Sequence, residues 1–247
     1  MNIVYNFYNP SQEILDIHLS IWSKIPIEYR RMLNIILIDD CSNIPLLINP
    51  NFAVNLTIAK IEDDILWNTS GSRNLGIMLA NNDWIFCSDI DHYMDANDYI
   101  KMINYKKSIH NIYFFKRILP NGQSRNKNVG NIFIAHREDL LDSSLYDEDF
   151  AGRYGWDETL LIGKIREPLK GQQALLLKNN ITYNQTNLII VENSKFASGS
   201  SDTYLSSRNS NHNLKMLEIK QKEVQNNTYK NGQILRFRWK IDRRYKI

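Results

Sequence analysis

Short, continuously apolar runs alternate along this chain with longer segments whose apolar residues recur every three or four positions. Residues 1–10 (MNIVYNFYNP) and 33–42 (LNIILIDDCS) are runs of the first kind, and the second of them ends in paired acids. Residues 83–88 (DWIFCS) form another. Runs that are apolar throughout and turn polar only where they leave the sheet read as buried parallel strands. Between them, residues 11–24 place Ile14, Leu15, Ile17, Leu19, Ile21 and Trp22 at helical spacing, with Ser11 set as the N-cap and Glu13 in the first turn. A second helix precedes the run at 83–88. The order strand, helix, strand, strand, helix, strand predicts a parallel α/β sheet with right-handed crossovers.

The second half carries its own pattern. Residues 128–136 (NVGNIFIAH) predict a strand that begins at a glycine, followed by a short helix over 137–142 and an acid-bearing loop over 143–153. Next comes Tyr154-Gly155-Trp156-Asp157-Glu158, with Leu160, Leu161 and Ile165 at helical spacing. Asp157 and Glu158 therefore open a helix, where the dipole and free N–H groups favour carboxylates. They either cap it or do chemistry from it. A Lys/Glu-rich helix over 214–224 and a basic, aromatic stretch over 235–247 complete the chain.

Candidate chemistry starts at Asp89 and Asp91. Both follow the strand at 83–88, and alternate residues at a strand end point the same way, so both carboxylates can face one cation. Mg²⁺ and Mn²⁺ take oxygen ligands and bridge carboxylates to substrate phosphates. The C-terminal edge of an open α/β sheet is also where ligands bind.

Four elements in order now resemble the nucleotide-sugar-binding half of a GT-A glycosyltransferase, closest to the inverting family 2. Phe7, Tyr8 and Asn9 match the Thr-Tyr-Asn-like end of its first strand. Asp39, Asp40, Cys41 and Ser42 match its Asp-Asp-Gly-Ser, with Cys41 in the glycine's place. Ser72, Arg73, Asn74, Leu75 and Gly76 match its Ala-Arg-Asn-x-Gly helix, and Asp89 and Asp91 its Asp-x-Asp. Residues 130–158 resemble the acceptor half, with a galactosyltransferase-like Gly-Trp-acid element in which the acids stand as Asp157-Glu158 rather than Glu-Asp.

The resemblance implies a GT-A fold: a Rossmann-like mixed, mostly parallel sheet flanked by helices, with a C-terminal helical lid. It divides the chain into a catalytic domain over 1–200 (nucleotide-sugar half 1–95, acceptor half 96–200) and a lid with a basic tail over 201–247. It implies a metal-dependent transfer of a hexosyl or N-acetylhexosaminyl group, UDP-linked rather than GDP-linked, to a hydroxyl of a glycan, lipid-linked or protein acceptor. Asp89 and Asp91 would hold Mn²⁺ or Mg²⁺, with His212 as a third ligand from the lid and Arg208 beside it. Arg73 would lie over the nucleotide or pyrophosphate, and Asp39 or Asp40 would accept from the base or ribose. Phe7, Tyr8, Asn9, Asn74, Gly130 and Asn131 would line the donor, and Tyr154 or Trp156 would stack on an acceptor sugar. Glu158 matches the base of an inverting reaction, with Asp157 as the competing choice. A retaining transferase and a non-catalytic nucleotide-sugar or glycan-binding relative are the alternatives. Of the other histidines, His18 is expected on the surface of the first helix, His92 pointing away from the acidic pair, and His136 in a structural place.

Composition sets bounds. The 247 residues are 43% hydrophobic, enough for a full core. No apolar run approaches the ~20 residues of a spanning helix. A strand at the very start leaves no room for a signal peptide, which points to the cytoplasm. The basic 235–247 stretch suits packing with solvated charge, or peripheral contact with anionic headgroups. A net charge of +3 falls short of the basic footprint of a nucleic-acid binder. Cys41 and Cys87 read as small buried thiols in a reducing compartment. No Gly-x-Gly-x-x-Gly follows the first strand, which removes a dinucleotide dehydrogenase. Residues 7–12 also lack the glycine-rich basic signature of a sugar-phosphate nucleotidyltransferase.

Overall fold

The chain folds as its pattern predicts, into a central sheet with helices on both faces. A computed structural model describes every residue except 11, 46, 49–53, 116, 119–123, 126–130, 167–188, 191–210 and 231. Ser11, Gly130 and Arg208, three residues singled out in the sequence, thus lie outside the described residues. The first half runs β1 (Asn2–Phe7), α1 (Gln12–Lys24), α2 (Ile27–Arg30), β2 (Asn34–Asp40), β3 (Asn55–Ile61), α3 (Thr69–Leu79) and β4 (Trp84–Asp89). The second runs β5 (His92–Tyr93), α4 (Ala96–Asn104), β6 (Tyr113–Phe114), β7 (Arg117–Ile118), β8 (Ser124–Arg125), β9 (Phe133–His136), α5 (Arg137–Asp142), a 3₁₀ turn (Glu148–Phe150) and α6 (Asp157–Arg166). After it come β10 (Ile189–Ile190), α7 (His212–Gln225) and β11 (Trp239–Tyr245).

Seven strands form the main sheet in the order β11-β3-β2-β1-β4-β9-β6. β1 pairs in parallel with β2 and β4, and β2 with β3. β9, β6 and β11 join antiparallel. The parallel register sets Asn6 beside Asp89 and Phe7 beside Asp39, so the polar strand ends share one edge. Strand period two splits the apolar residues between two cores. Tyr5, Phe7, Leu37 and Phe86 pack with Leu15, Trp22 and Tyr99 from α1 and α4. Val4, Ile36, Ile85 and Cys87 pack with Leu75, Ile77, Leu140 and Leu161 from α3, α5 and α6. Burying such a side chain is worth roughly 1.5–3 kcal/mol. Polar tips are matched inside: the Tyr5 and Tyr99 hydroxyls lie 2.8 Å apart, and the Trp22 indole donates to Tyr99 at 3.1 Å.

Gly76 lets α3 approach the sheet. A Cβ there would stand 2.2 Å from Val4 Cγ1, so any larger residue pushes the helix off β1. In the region read as a lid and basic tail, helix α7 packs beside α6, and the basic end forms strand β11, paired antiparallel along β3. Its charges face acids, with Arg238 at 2.6 Å from Asp63 and Lys240 at 2.8 Å from Glu62. Among the described residues no helix is long and apolar enough to cross a membrane.

Candidate functional site

Strand ends β1, β2 and β4 and the start of α3 surround a cleft on the C-terminal edge of the sheet. On its β2 side, Asp39 accepts from the Ser42 amide at 2.7 Å, and Asp40 accepts from Asn68 Nδ2 at 3.0 Å. Burial pushes the Asp40 carboxyl up to about 7, against the hydrogen bond from Asn68. Burial also raises Asp39, with Ser42 opposing it. The Asn9 amide donates to Ser42 Oγ at 2.8 Å, and Asn9 Oδ1 accepts from the Asn43 amide at 2.8 Å, which ties the two strand ends together. Cys41 fills a left-handed position with φ 61°, the reason a glycine is favoured there. Tyr8 is half-buried beside these groups. Phe7 departs from its expected role, since its side chain belongs to the core under α1.

On the β4 side, Asp89, Asp91 and His92 each offer one ligand atom, and these atoms lie within 4.8 Å of one another. Asp91 Oδ1 is 2.9 Å from His92 Nδ1. Neighbouring ligands of an octahedral ion at ~2.1 Å stand about 3 Å apart, which the Asp91–His92 distance matches. His92 therefore turns toward the acidic pair, not away. His18 also differs from its expected surface place: it is fully buried, and its Nε2 sits 2.7 Å from the carbonyl of Ile90, between the two aspartates. Burial lowers its pKa to about 4, so it is neutral and donates Nε2–H to that carbonyl. His136 caps α5 and packs edge-on against Trp84, as a structural residue does.

Helix α3 joins the two sides of the cleft. Ser70, Arg73 and Asn74 share one face, three and four residues apart. Ser70 Oγ donates to Asp157 Oδ2 at 2.8 Å. Arg73 is 1% exposed and donates to Asp89 Oδ1 at 2.6 Å, Glu158 Oε1 at 2.9 Å, the Tyr146 hydroxyl at 3.2 Å and Asn6 Oδ1 at 3.3 Å. Its guanidinium is enclosed by these acids and the Tyr146 hydroxyl. Burial opposes its charge, and Tyr146, Asp89 and Glu158 more than restore it. Asn131 Nδ2 donates to the other Asp89 oxygen, and its carbonyl accepts from Arg73 at 3.2 Å. Asn74 is buried and binds the Tyr146 backbone at both ends and Glu148 Oε1 at 2.9 Å.

Asp157 and Glu158 open α6, as their pattern predicts. The Asp157 side chain is buried against Ser70, whereas that of Glu158 is 21% exposed and reaches the cleft. Burial and then the charge of Asp157 raise Glu158 well above the usual carboxyl range, with Arg73 pulling the other way. Tyr154 and Trp156 are exposed at the rim, and the ring of Tyr154 meets Trp67 edge-on at 4.8 Å. Both Trp67 (φ 51°) and Trp156 (φ 76°) hold left-handed backbone conformations, which are strained for large side chains and cluster at functional sites. His212 is the exposed first residue of α7 and stands outside the Asp89–Asp91–His92 group. Sequence reading missed Trp67, Asn68, Ser70, Tyr146 and Asn213. Ser70 alone left a trace, one helical turn before Arg73.

A mostly parallel sheet with acids at one edge, flanked by helices, is the architecture of GT-A glycosyltransferases. Residues 3–158 match Glycosyl transferase family 2, and the chain belongs to that family. Among solved structures it is similar to residues 1–349 of S. aureus TarS in complex with UDP-GlcNAc, at a TM-score of 0.52 and 13% identity, covering 66% of this chain and 52% of that one. A second crystal structure of the same TarS fragment gives a TM-score of 0.51 and 14% identity, covering 66% and 54%. The chain thus spans about half the length of these structures. A search of curated proteins gives no match.

Proposed function

We propose that this chain is a metal-dependent, inverting glycosyltransferase that moves a hexosyl or N-acetylhexosaminyl group from a UDP-linked donor to a hydroxyl on a glycan, lipid-linked or protein acceptor. One observation carries the reading: the buried Arg73 guanidinium holds Asp89, on the metal side, and Glu158, on the acceptor side, across a single cleft. The family supports the reaction class. The UDP-GlcNAc in the TarS fragment, which has the same fold, supports a UDP-linked donor.

Asp91 and His92 would hold the Mn²⁺ or Mg²⁺, with Asp89 contributing through the lone pairs that Arg73 and Asn131 leave. Such an ion neutralises the charge that develops on the leaving diphosphate. The chain's own residues do the rest. Asp39 and Asp40, at the end of β2, accept from base or ribose. Tyr8, Asn9 and Asn131 shape the donor pocket. Glu158 removes the proton of the attacking hydroxyl, which is worth roughly 10²–10⁴-fold. Its exposure to the cleft favours it over the buried Asp157, which Ser70 fixes in place. Attack in line with the departing diphosphate inverts the anomeric carbon.

Thermal shift with a panel of UDP- and GDP-sugars, with and without Mn²⁺, tests donor and metal together. A ligand at a hundredfold excess over its Kd stabilises the fold by about 2.7 kcal/mol. Asp91→Ala should abolish both transfer and the Mn²⁺ dependence of UDP binding. Normal transfer by that variant would sink the metal assignment, and a retained anomer in the product by NMR would sink the base assignment.

A further inference from the structure

We infer that α7 clamps the loop that carries the acceptor-side acids, and that Asn213 is the positioning residue of this clamp. The inference rests on the reading that Glu158 acts on the acceptor. Asn213, in the first turn of α7, is 1% exposed. Its Nδ2 lies 3.2 Å from the carbonyl oxygen of Phe150, 3.0 Å from that of Arg153 and 3.1 Å from that of Gly155. One amide group thus shares two hydrogens among three backbone acceptors of a single loop. That loop needs the help. Gly152, Gly155 and Trp156 all sit at positive φ, so its backbone follows neither helix nor strand. A carbonyl held away from water and left without a donor is destabilising.

The clamp has a second grip further along the helix. Lys220 lies 2.6 Å from Asp147 and 2.9 Å from Asp149. The Tyr229 hydroxyl donates to Asp147 at 2.7 Å, and the Leu235 amide donates to Glu148 at 2.8 Å. Leu217 and Val224 pack with Phe150 and Leu160 in a small core of their own. Every one of these clamping residues lies after 158, beyond the span that matches the family. Gly155, the last carbonyl that Asn213 holds, is three residues before Glu158. A shift of 1 Å at a reacting group costs about 10²-fold in rate, so the clamp sets the aim of the base and leaves the donor pocket on β1, β2 and β4 untouched.

The test compares the full chain with Asn213→Ala and Asn213→Asp. The aspartate keeps the size and replaces the donor with an acceptor that repels the three carbonyls. Four quantities are read: kcat, KM for the UDP-sugar, UDP affinity, and amide hydrogen exchange over residues 150–158. A fall in kcat of about tenfold or more is expected, with donor KM and UDP affinity within about twofold of wild type and faster exchange confined to 150–158. Ile219→Ala, on the exposed face of the same helix, should change none of these. Unchanged exchange over 150–158 overturns the clamp, and so does a loss of UDP affinity as large as the loss of kcat. A wild-type chain that transfers sugar from no UDP-linked donor defeats the functional reading instead, and the exchange measurement then decides the clamp alone.

Discussion

The two sides of the cleft are built in different ways. On the side proposed for the donor, the polar groups sit where strands stop: register alone puts Asn6 beside Asp89 and Phe7 beside Asp39. Near neighbours and adjacent strand ends hold Asp39 and Asn9, while Asn68 reaches Asp40, and Arg73 and Asn131 reach Asp89. On the acceptor side, no strand presents the acids. Asp157 and Glu158 open α6 after a long loop: Ser70 and Arg73 from α3 hold the two acids, Asn74 holds Tyr146 and Glu148 earlier in the loop, and α7 holds the loop from far along the chain. On the first side strand pairing places the groups and side chains then tie them; on the second, side chains do both. The acceptor side should therefore be the one that single substitutions unmake.

The largest effect is expected from Glu158→Gln. The amide keeps the size and a hydrogen-bonding oxygen for Arg73 but takes no proton, so kcat should fall by roughly 10²–10⁴-fold, with UDP affinity unchanged. In the wild type, kcat should rise with pH as Glu158 loses the proton that burial and Asp157 help it hold, and that rise should vanish in the variant. Equal losses in kcat and UDP affinity would erase the division between the two sides.

Arg73→Met asks what joins them. It leaves Asp89 and Glu158 without their buried cation, and breaking a buried pair costs about 3–5 kcal/mol. Chemical denaturation should show that loss, and a second substitution, Glu158→Gln, should recover part of it. A merely additive loss would mean that Arg73 does not couple the sides.

A third measurement addresses the donor side through pH. His18 is buried and neutral, with its pKa lowered to about 4 from an ordinary 6.5. The unfolded chain binds this proton first as pH falls, so stability present above pH 6.5 is lost progressively down to pH 4. The shift corresponds to roughly 3 kcal/mol. His18→Gln should flatten that limb of the stability profile. An unaltered profile would remove His18 from beneath the Asp89–Asp91 turn.

The smallest effect should come from Cys41→Gly. Cys41 holds φ 61°, where a side chain costs about 1–2 kcal/mol. Glycine relieves that and gives up some chain entropy on folding, so a net gain near 1 kcal/mol is expected in thermal melts, with the activity kept.

This contrast also explains what was legible beforehand. Strand runs and the residues just beyond them sit in sequence order, so β1, β2 and β4, together with Asp39, Asp40, Asp89 and Asp91, could be read from the pattern. The helix start at Asp157 was equally visible, because dipole and apolar spacing are local. Arg73 was found through its motif but its protein partners were not, since nothing local says that one of them is Glu158, 85 residues away. His18 looked like one more polar helix residue, because burial against Ile90, just past the end of β4, depends on how α1 lies on the sheet. Asn213 was passed over for its neighbour His212, a residue with familiar metal chemistry. Its function comes from three carbonyls about sixty positions earlier, which no spacing rule reaches.

The basic end of the chain has one more consequence. Without β11, β3 would line the border of the sheet with a row of unsatisfied N–H and C=O groups, the template on which a second molecule adds a strand. β11 closes that border, and the register break between Ile241 and Arg243 together with Lys240, Arg243 and Arg244 makes the new one a poor template in turn. Charges that suggest a grip on lipid thus also serve colloidal stability. A chain cut before Trp239 should remain folded long enough to polymerise through β3, and added lysines on the cut end should slow it.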